Sequence, residues 1–265
     1  MKISCKLWNR CCCYVWQIAT QIYFTALRWL RRLPAPQHDG NPTTDKLIYL
    51  TFDDGPSLYT QKLLNVLERY NVKATFFVTN GANRLDVLPR ISAAGHSIGN
   101  HTANHDYKTL YASETSFLEA ICKMDEIILD KTGVRPTLFR FPGGSESIHY
   151  YAPNPELARK LIALVQDRGY RYFDWDLDSR DTADARTPGA VYRNVISGVR
   201  SRKNTVVLQH DIKKYSVDAV EAIIVWGLRN GYTFLPLDSD SPAVHHVIKD
   251  LTVPIETGGA HSWCN

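Results

Sequence analysis

From Lys46 to Leu237 the chain alternates short apolar runs with longer amphipathic stretches. This alternation limits what it can fold into more than any other feature. Strand-like runs fall at Leu47–Thr51, Thr75–Val78, His96–Gly99, Leu138–Arg140, Arg171–Phe173, Thr205–Leu208 and Thr233–Leu235. Between them lie helical patterns at Tyr59–Tyr70, Arg84–Ala94, Ser113–Thr132 (stopped by Gly133), Pro155–Arg168, Pro188–Arg200 and Val217–Asn230 (stopped by Gly231). Repeated β-α alternation predicts a parallel sheet covered by helices. About seven strands fit either a barrel or an open doubly wound sheet, and periodicity does not separate the two.

The flanks read differently. Cys11 to Leu27 carries no charge and has basic residues on both sides (Lys2, Lys6 and Arg10 before it; Arg28, Arg31 and Arg32 after it). As a helix its 17 residues span roughly 26 Å, slightly short of a bilayer core of about 30 Å. Residues 1–32 are therefore expected to associate with a membrane, as a signal-anchor or an interfacial helix, with no small-residue cleavage site. Residues 33–45, rich in Pro, Gly and polar side chains, read as a linker. The body is 46–237, and 238–265 is expected to be a tail.

Of the +4 net charge on 265 residues, much sits in that N-terminal segment. The body has no basic stripe, which argues against a nucleic-acid partner. The six cysteines show neither a zinc-knuckle spacing nor a disulfide framework, so no structural disulfide is expected to tie the body together. Oligomeric state leaves no mark in the sequence.

Polar clusters follow the predicted strands. Thr51-Phe52-Asp53-Asp54-Gly55-Pro56 ends the first, and His101-Thr102-Ala103-Asn104-His105 follows the third. Arg140-Phe141-Pro142-Gly143-Gly144 follows the fourth, Asp178-Ser179-Arg180-Asp181 the fifth, and Leu208-Gln209-His210 lies at the sixth. In parallel β/α folds the C-terminal strand ends form one rim, so these clusters should converge. Adjacent carboxylates at a strand end can take separate jobs, because strand side chains alternate faces. On a helical turn, His101 and His105 would share a face. Two imidazoles and a carboxylate make a three-ligand set with room for water, as in catalytic zinc sites. Taken singly, Asp54 could equally cap the turn before a helix, Arg140 serve an ion pair, and His210 belong to the core.

With these motifs in order, the chain resembles the polysaccharide deacetylases of carbohydrate esterase family 4, the NodB homology domain. The resemblance covers about Lys46 to Leu237 and is closest to bacterial cell-wall members. It implies a distorted (β/α) barrel of about seven parallel strands. It implies that Asp54, His101 and His105 hold a divalent metal, zinc first and cobalt or manganese as alternatives. Asp53 would be the general base, oriented by Arg140. His210 would be the general acid, and Asp178 would pair with His210 or Arg140. The Gly143 N–H would hold the oxyanion, and Leu208 would line the acetyl pocket.

The implied substrate is an N-acetylated polysaccharide outside the cytoplasmic membrane, foremost the N-acetylglucosamine of peptidoglycan. Chitooligosaccharide or acetylxylan are the alternatives within the enzyme class. A catalytically silent carbohydrate-binding protein is the alternative outside it. Three departures stand out, one of them Gln209 in place of a residue that is often apolar. Thr182 occupies the place of a Trp that usually ends the fourth motif, with Trp175 nearby but expected to pack elsewhere. Gly143 stands where many members carry Tyr.

Overall fold

The computed structural model describes residues 46–81 and 84–247. The N-terminal segment and linker expected at 1–45 lie outside the described residues, as does the end of the tail.

Eight strands alternate with helices: β1 (Leu47–Asp53), α1 (Thr60–Arg69), β2 (Thr75–Val78), α2 (Leu88–Ala93), β3 (Ser97–Asn100), α3 (Tyr107–Leu110) and α4 (Glu114–Thr132). Then come β4 (Leu138–Phe139), α5 (Ser145–Tyr151), α6 (Pro155–Asp167), β5 (Arg171–Tyr172), β6 (Leu177–Asp178), α7 (Pro188–Val199), β7 (Asn204–His210), α8 (Lys214–Arg229) and β8 (Thr233–Phe234). All pairings are parallel, along the path β5-β4-β3-β2-β1-β7-β6, with β8 beside the start of β1. The outermost strands of that path are joined by one continuous stretch. Arg171–Phe173 runs along β4, and Asp176–Asp178 runs along β7. The curled sheet thus closes through a single crossing segment rather than a full ladder, which is the distorted (β/α) barrel.

Local chemistry sets the boundaries. Ser113, Asn154 and Thr187 each accept a backbone N–H at a helix start, and Pro155 and Pro188 follow the latter two at the first helical position. Gly133 ends α4 at φ 74°, a conformation that costs glycine nothing. The single helix expected over Arg84–Ala94 is instead a 3₁₀ turn (Leu85–Val87) followed by α2, with Pro89 inside the new first turn.

Strand parity divides the core. Ile48, Leu50 and Phe52 face outward and pack with Leu63, Leu64 and Leu67 of α1 and with apolar residues of α7 and α8. Tyr49 faces inward with Phe77, Leu138, Phe173 and Val206. Thr51 and Asp53 share the parity of Tyr49, so the period-two repeat carries the first motif's Asp53 into the barrel. A third cluster, including Phe117, Phe139, Phe141 and Leu161, seats α4 and α6 over β4.

Cys122 on α4 is disulfide-bonded, which the cysteine spacing did not indicate, and the other five cysteines lie outside the described residues. One bridge produces no repeating cysteine spacing, so no pattern could announce it. Among the described residues no helix is long and apolar enough to cross a membrane.

Candidate active site

The motifs converge at the C-terminal ends of β1, β3, β4 and β7. Asp53, the last residue of β1, is buried, and its Oδ1 accepts from Arg140 Nη1 at 2.8 Å. Asp54 follows in the left-handed region at φ 70°, which swings its carboxylate out of strand geometry. The backbone then passes close to the end of β7. A Cβ on Gly55 would lie 2.2 Å from Asp211 Oδ1, so only glycine fits.

Asp54 Oδ1 lies 3.6 Å from His101 Nε2 and 3.1 Å from His105 Nε2. The two histidines do not meet on a helical turn, as their spacing suggests. Residues 101–106 are irregular, with Thr102 at φ 63° and its N–H bound to Asn100 Oδ1. His101 Nδ1 lies 2.7 Å from the Arg140 carbonyl, which can only accept. That contact places the ring proton on Nδ1 and leaves the Nε2 lone pair facing Asp54.

One donor atom from each of Asp54, His101 and His105 lies within 4.8 Å of the other two. In a tetrahedral zinc site with bonds of about 2.0–2.1 Å, donors stand about 3.4 Å apart. Asp54 Oδ1 is buried and has no hydrogen-bond donor of its own. A buried carboxylate oxygen facing two imidazole Nε2 atoms needs a cation or protons between them, so the residues present fit a divalent cation. Burial, the largest influence, pushes the Asp54 carboxyl up. The His105, His101 and His210 imidazoles around it overcome burial and hold the group well below the usual carboxylate range.

Arg140 is fully buried at the end of β4. Nε donates to the Phe173 carbonyl, Nη2 to that of Asp174, and Nη1 to Thr51 Oγ1 (2.6 Å) as well as Asp53. The Phe77 ring lies 4.1 Å below the guanidinium. Asp53 is thereby fixed in one rotamer.

His210 ends β7 with Nε2 3.9 Å from Asp54 Oδ2. Its Nδ1 is 2.8 Å from Asp181 Oδ1, and its backbone N–H donates to Asp181 Oδ2 at 2.7 Å. Asp178, expected to pair with His210 or Arg140, does neither. It is exposed at the end of β6, and its Oδ1 accepts the Arg180 N–H. Arg180, at φ 62°, reverses the chain, so it is fully buried Asp181 that reaches His210. Burial pushes the His210 imidazolium down, but the Asp181 hydrogen bond and charge outweigh it and lift the group to about 9.

Gly143, at φ 74°, lies at the same rim, and Leu208 is buried on β7 two residues before His210. Thr182 is exposed. Trp175, expected to pack elsewhere, stands at this rim. Its ring carbon would lie 2.9 Å from a Cβ on Gly144, and the Arg140 guanidinium is 5.7 Å from the ring. Two further buried carboxylates were given no role by the sequence. Asp174 accepts from Ser145 N–H and hydroxyl and from His246 N–H, fixing the start of α5. Asp211 accepts the Thr60 hydroxyl, and its burial lifts the carboxyl to about 7. For Asp174 the available signal was its place between Phe173 and Trp175.

Residues 40–173 match the family model described as polysaccharide deacetylase. The chain belongs to the polysaccharide deacetylase family. It is 45% identical to the catalytic domain of peptidoglycan N-acetylglucosamine deacetylase from Eubacterium rectale, covering 82% of this chain and 100% of that one with a TM-score of 0.75. The polysaccharide deacetylase structure from Bacillus cereus is 31% identical over 75% of this chain and 96% of that one, with a TM-score of 0.65. A peptidoglycan-N-acetylglucosamine deacetylase of Bacillus cereus is 34% identical over 197 residues, 71% of this chain and 68% of the relative. This deacetylase is accordingly a hydrolase, on a family scaffold whose rim carries Asp54, His101 and His105 together.

Proposed function

We propose that this polysaccharide deacetylase is a metal-dependent N-deacetylase that releases acetate from N-acetylglucosamine units of peptidoglycan, outside the cytoplasmic membrane. The observation that carries the reading is the joint placement of the Asp54-His101-His105 cluster, Asp53 on Arg140, and His210 on Asp181 at one rim. The relatives named as peptidoglycan deacetylases support the choice of polymer.

Asp54, His101 and His105 would hold the cation, with zinc favoured by two imidazoles and one carboxylate. When bound, it supplies Lewis acidity, polarising the acetyl carbonyl and lowering the pKa of water. The remaining work falls to the chain. Asp53 takes a proton from the attacking water as the oxygen bonds to the acetyl carbon. Arg140 keeps that carboxylate aimed. The Gly143 N–H stabilises the negative charge on the carbonyl oxygen. His210, charged through Asp181, gives a proton to the sugar nitrogen as the C–N bond breaks. Acetate and a free amine leave. Trp175 and Leu208 would wall the acetyl group in place of the Trp that Thr182 lacks.

Acetate release from N-acetylated peptidoglycan tests this. Activity is expected to vanish with chelator, return with zinc, and drop at least about 100-fold in Asp53→Asn and His210→Ala. His101→Ala should lose bound metal. Release of no acetate from peptidoglycan, chitooligosaccharide or acetylxylan by metal-loaded protein would sink the enzyme reading. Activity on acetylxylan alone would redirect the substrate.

A further inference from the structure

Two tyrosines stand on the His105 side of the rim and take no part in the hydrolysis above. Tyr107 opens the four-residue helix α3, whose start is fixed by the Asp106 carboxylate accepting the Lys108 N–H and the Thr109 hydroxyl. Its ring centroid is 5.1 Å from that of His105, 4.9 Å from Tyr151 and 6.4 Å from Tyr111. Tyr111 is an anchor, fully buried, with its hydroxyl donating to the Pro142 carbonyl at 2.8 Å. Tyr107 is therefore held between a metal-site histidine and the Arg140–Gly144 motif.

The Tyr107 hydroxyl makes no hydrogen bond among the described residues. It lies 3.1 Å from where a Cβ on Gly143 would stand, beside the backbone that would meet the oxyanion. A phenol serving only to pack would be expected to bury its ring and pair its hydroxyl, as Tyr111 does. Tyr151, the last residue of α5, continues the aromatic surface outward and is 39% exposed. A pyranose presents an apolar C–H face and a ring of hydroxyls, and a site for one combines aromatic faces with a few convergent polar groups.

We propose that Tyr107 and Tyr151 form a glycan subsite, with Tyr107 donating its hydroxyl to the acetylated sugar and Tyr151 stacking on the next pyranose of the chain. This rests on the deacetylase reading of the same rim. It assigns chain-length preference to Tyr151.

The test uses β-1,4-linked N-acetylglucosamine oligomers of increasing length with the full-length, metal-loaded protein. Steady-state kinetics are paired with calorimetric binding in an Asp53→Asn background. Tyr151→Ala should abolish the fall of KM with length, raising KM about tenfold at the longest oligomer while kcat stays within twofold and metal content is unchanged. Tyr107→Phe keeps the ring packing and should weaken affinity at every length. If KM of Tyr151→Ala still falls with length as in wild type, or if neither substitution weakens oligomer binding, the subsite is wrong. Loss of metal in Tyr107→Phe would make that residue a support for His105 and overturn its substrate role. Wild type that neither binds nor hydrolyses any oligomer while releasing acetate from acetylxylan would count against the substrate reading itself, a pattern distinct from active wild type with indifferent variants.

Discussion

At the residue scale, the pair to which the proposed mechanism assigns proton delivery is His210 and Asp181. Asp181 accepts two hydrogen bonds from one residue, from the His210 imidazole and from its backbone N–H, so this carboxylate sets both the orientation and the charge of the ring. His210 must be protonated to act as an acid, so activity should persist as pH rises until the group, lifted to about 9, loses its proton. Asp181→Asn removes the charge that opposes burial. The alkaline limb of the kcat/KM profile should then move to lower pH, with at least about a tenfold loss at its former plateau. Asp178→Asn, at an exposed side chain, should leave the profile within twofold of wild type. A profile moved by Asp178→Asn and not by Asp181→Asn would reverse the assignment. The sequence displays both carboxylates in one short motif. What it does not display is the positive φ at Arg180 that turns one outward and the other in. The same holds for His101 and His105, which are joined by the Thr102 turn rather than by helical spacing.

At the element scale, what could be read from sequence followed element length. Period two in β1 and β7 and period 3.6 in the long helices put the first, second and fifth motifs at strand ends, where the structure has them. Helices α3 and α5 and strand β6 were missed, and each is too short to complete a recognisable repeat. Arg140 explains how such short elements are held at the rim. One guanidinium ties the end of β4 to Thr51 and Asp53 of β1 and to Phe173 and Asp174 of the crossing segment. Lysine has no planar fork with which to make these contacts together. Arg140→Met should lower the urea midpoint by an amount corresponding to about 3–5 kcal/mol, because Asp53 is left as a buried, unpaired carboxylate. Adding Asp53→Asn should recover part of that loss, a coupling measurable in a double-mutant cycle. Strict additivity would mean that Arg140 acts on the sheet independently of Asp53.

At the scale of the whole molecule, the barrel closes through the single stretch from Arg171 to Asp178, and this stretch is held from outside by residues that sequence reading assigned to a tail. Arg171 donates from both terminal nitrogens to the Ser239 and Ser241 carbonyls. Asp174 N–H donates to the Val244 carbonyl, and its carboxylate accepts the His246 N–H. The His245 ring stacks on Tyr172 with centroids 3.9 Å apart. The described part of this C-terminal segment is thus a strap over the seam, built mostly from backbone groups. Backbone hydrogen bonds carry no residue preference, so nothing in its composition advertised the role. The strap also reaches the site, since Asp174 positions Ser145 at the start of α5, and Phe173 and Asp174 offer the carbonyls that hold Arg140. Loosening it should therefore cost stability first and activity second. Arg171→Ala deletes two hydrogen bonds between strap and seam, worth about 0.5–1.5 kcal/mol each. For a chain of this size that corresponds to a fall in Tm of about 2–12 °C. Because the substitution touches neither Asp54, His101, His105 nor His210, metal content should be unchanged, and kcat at 25 °C should fall by less than about threefold. Calorimetry and metal analysis on the full chain decide it. An unchanged Tm would mean that the seam closes without the strap, whereas a large loss of kcat at normal Tm would mean that the segment acts on Arg140 directly.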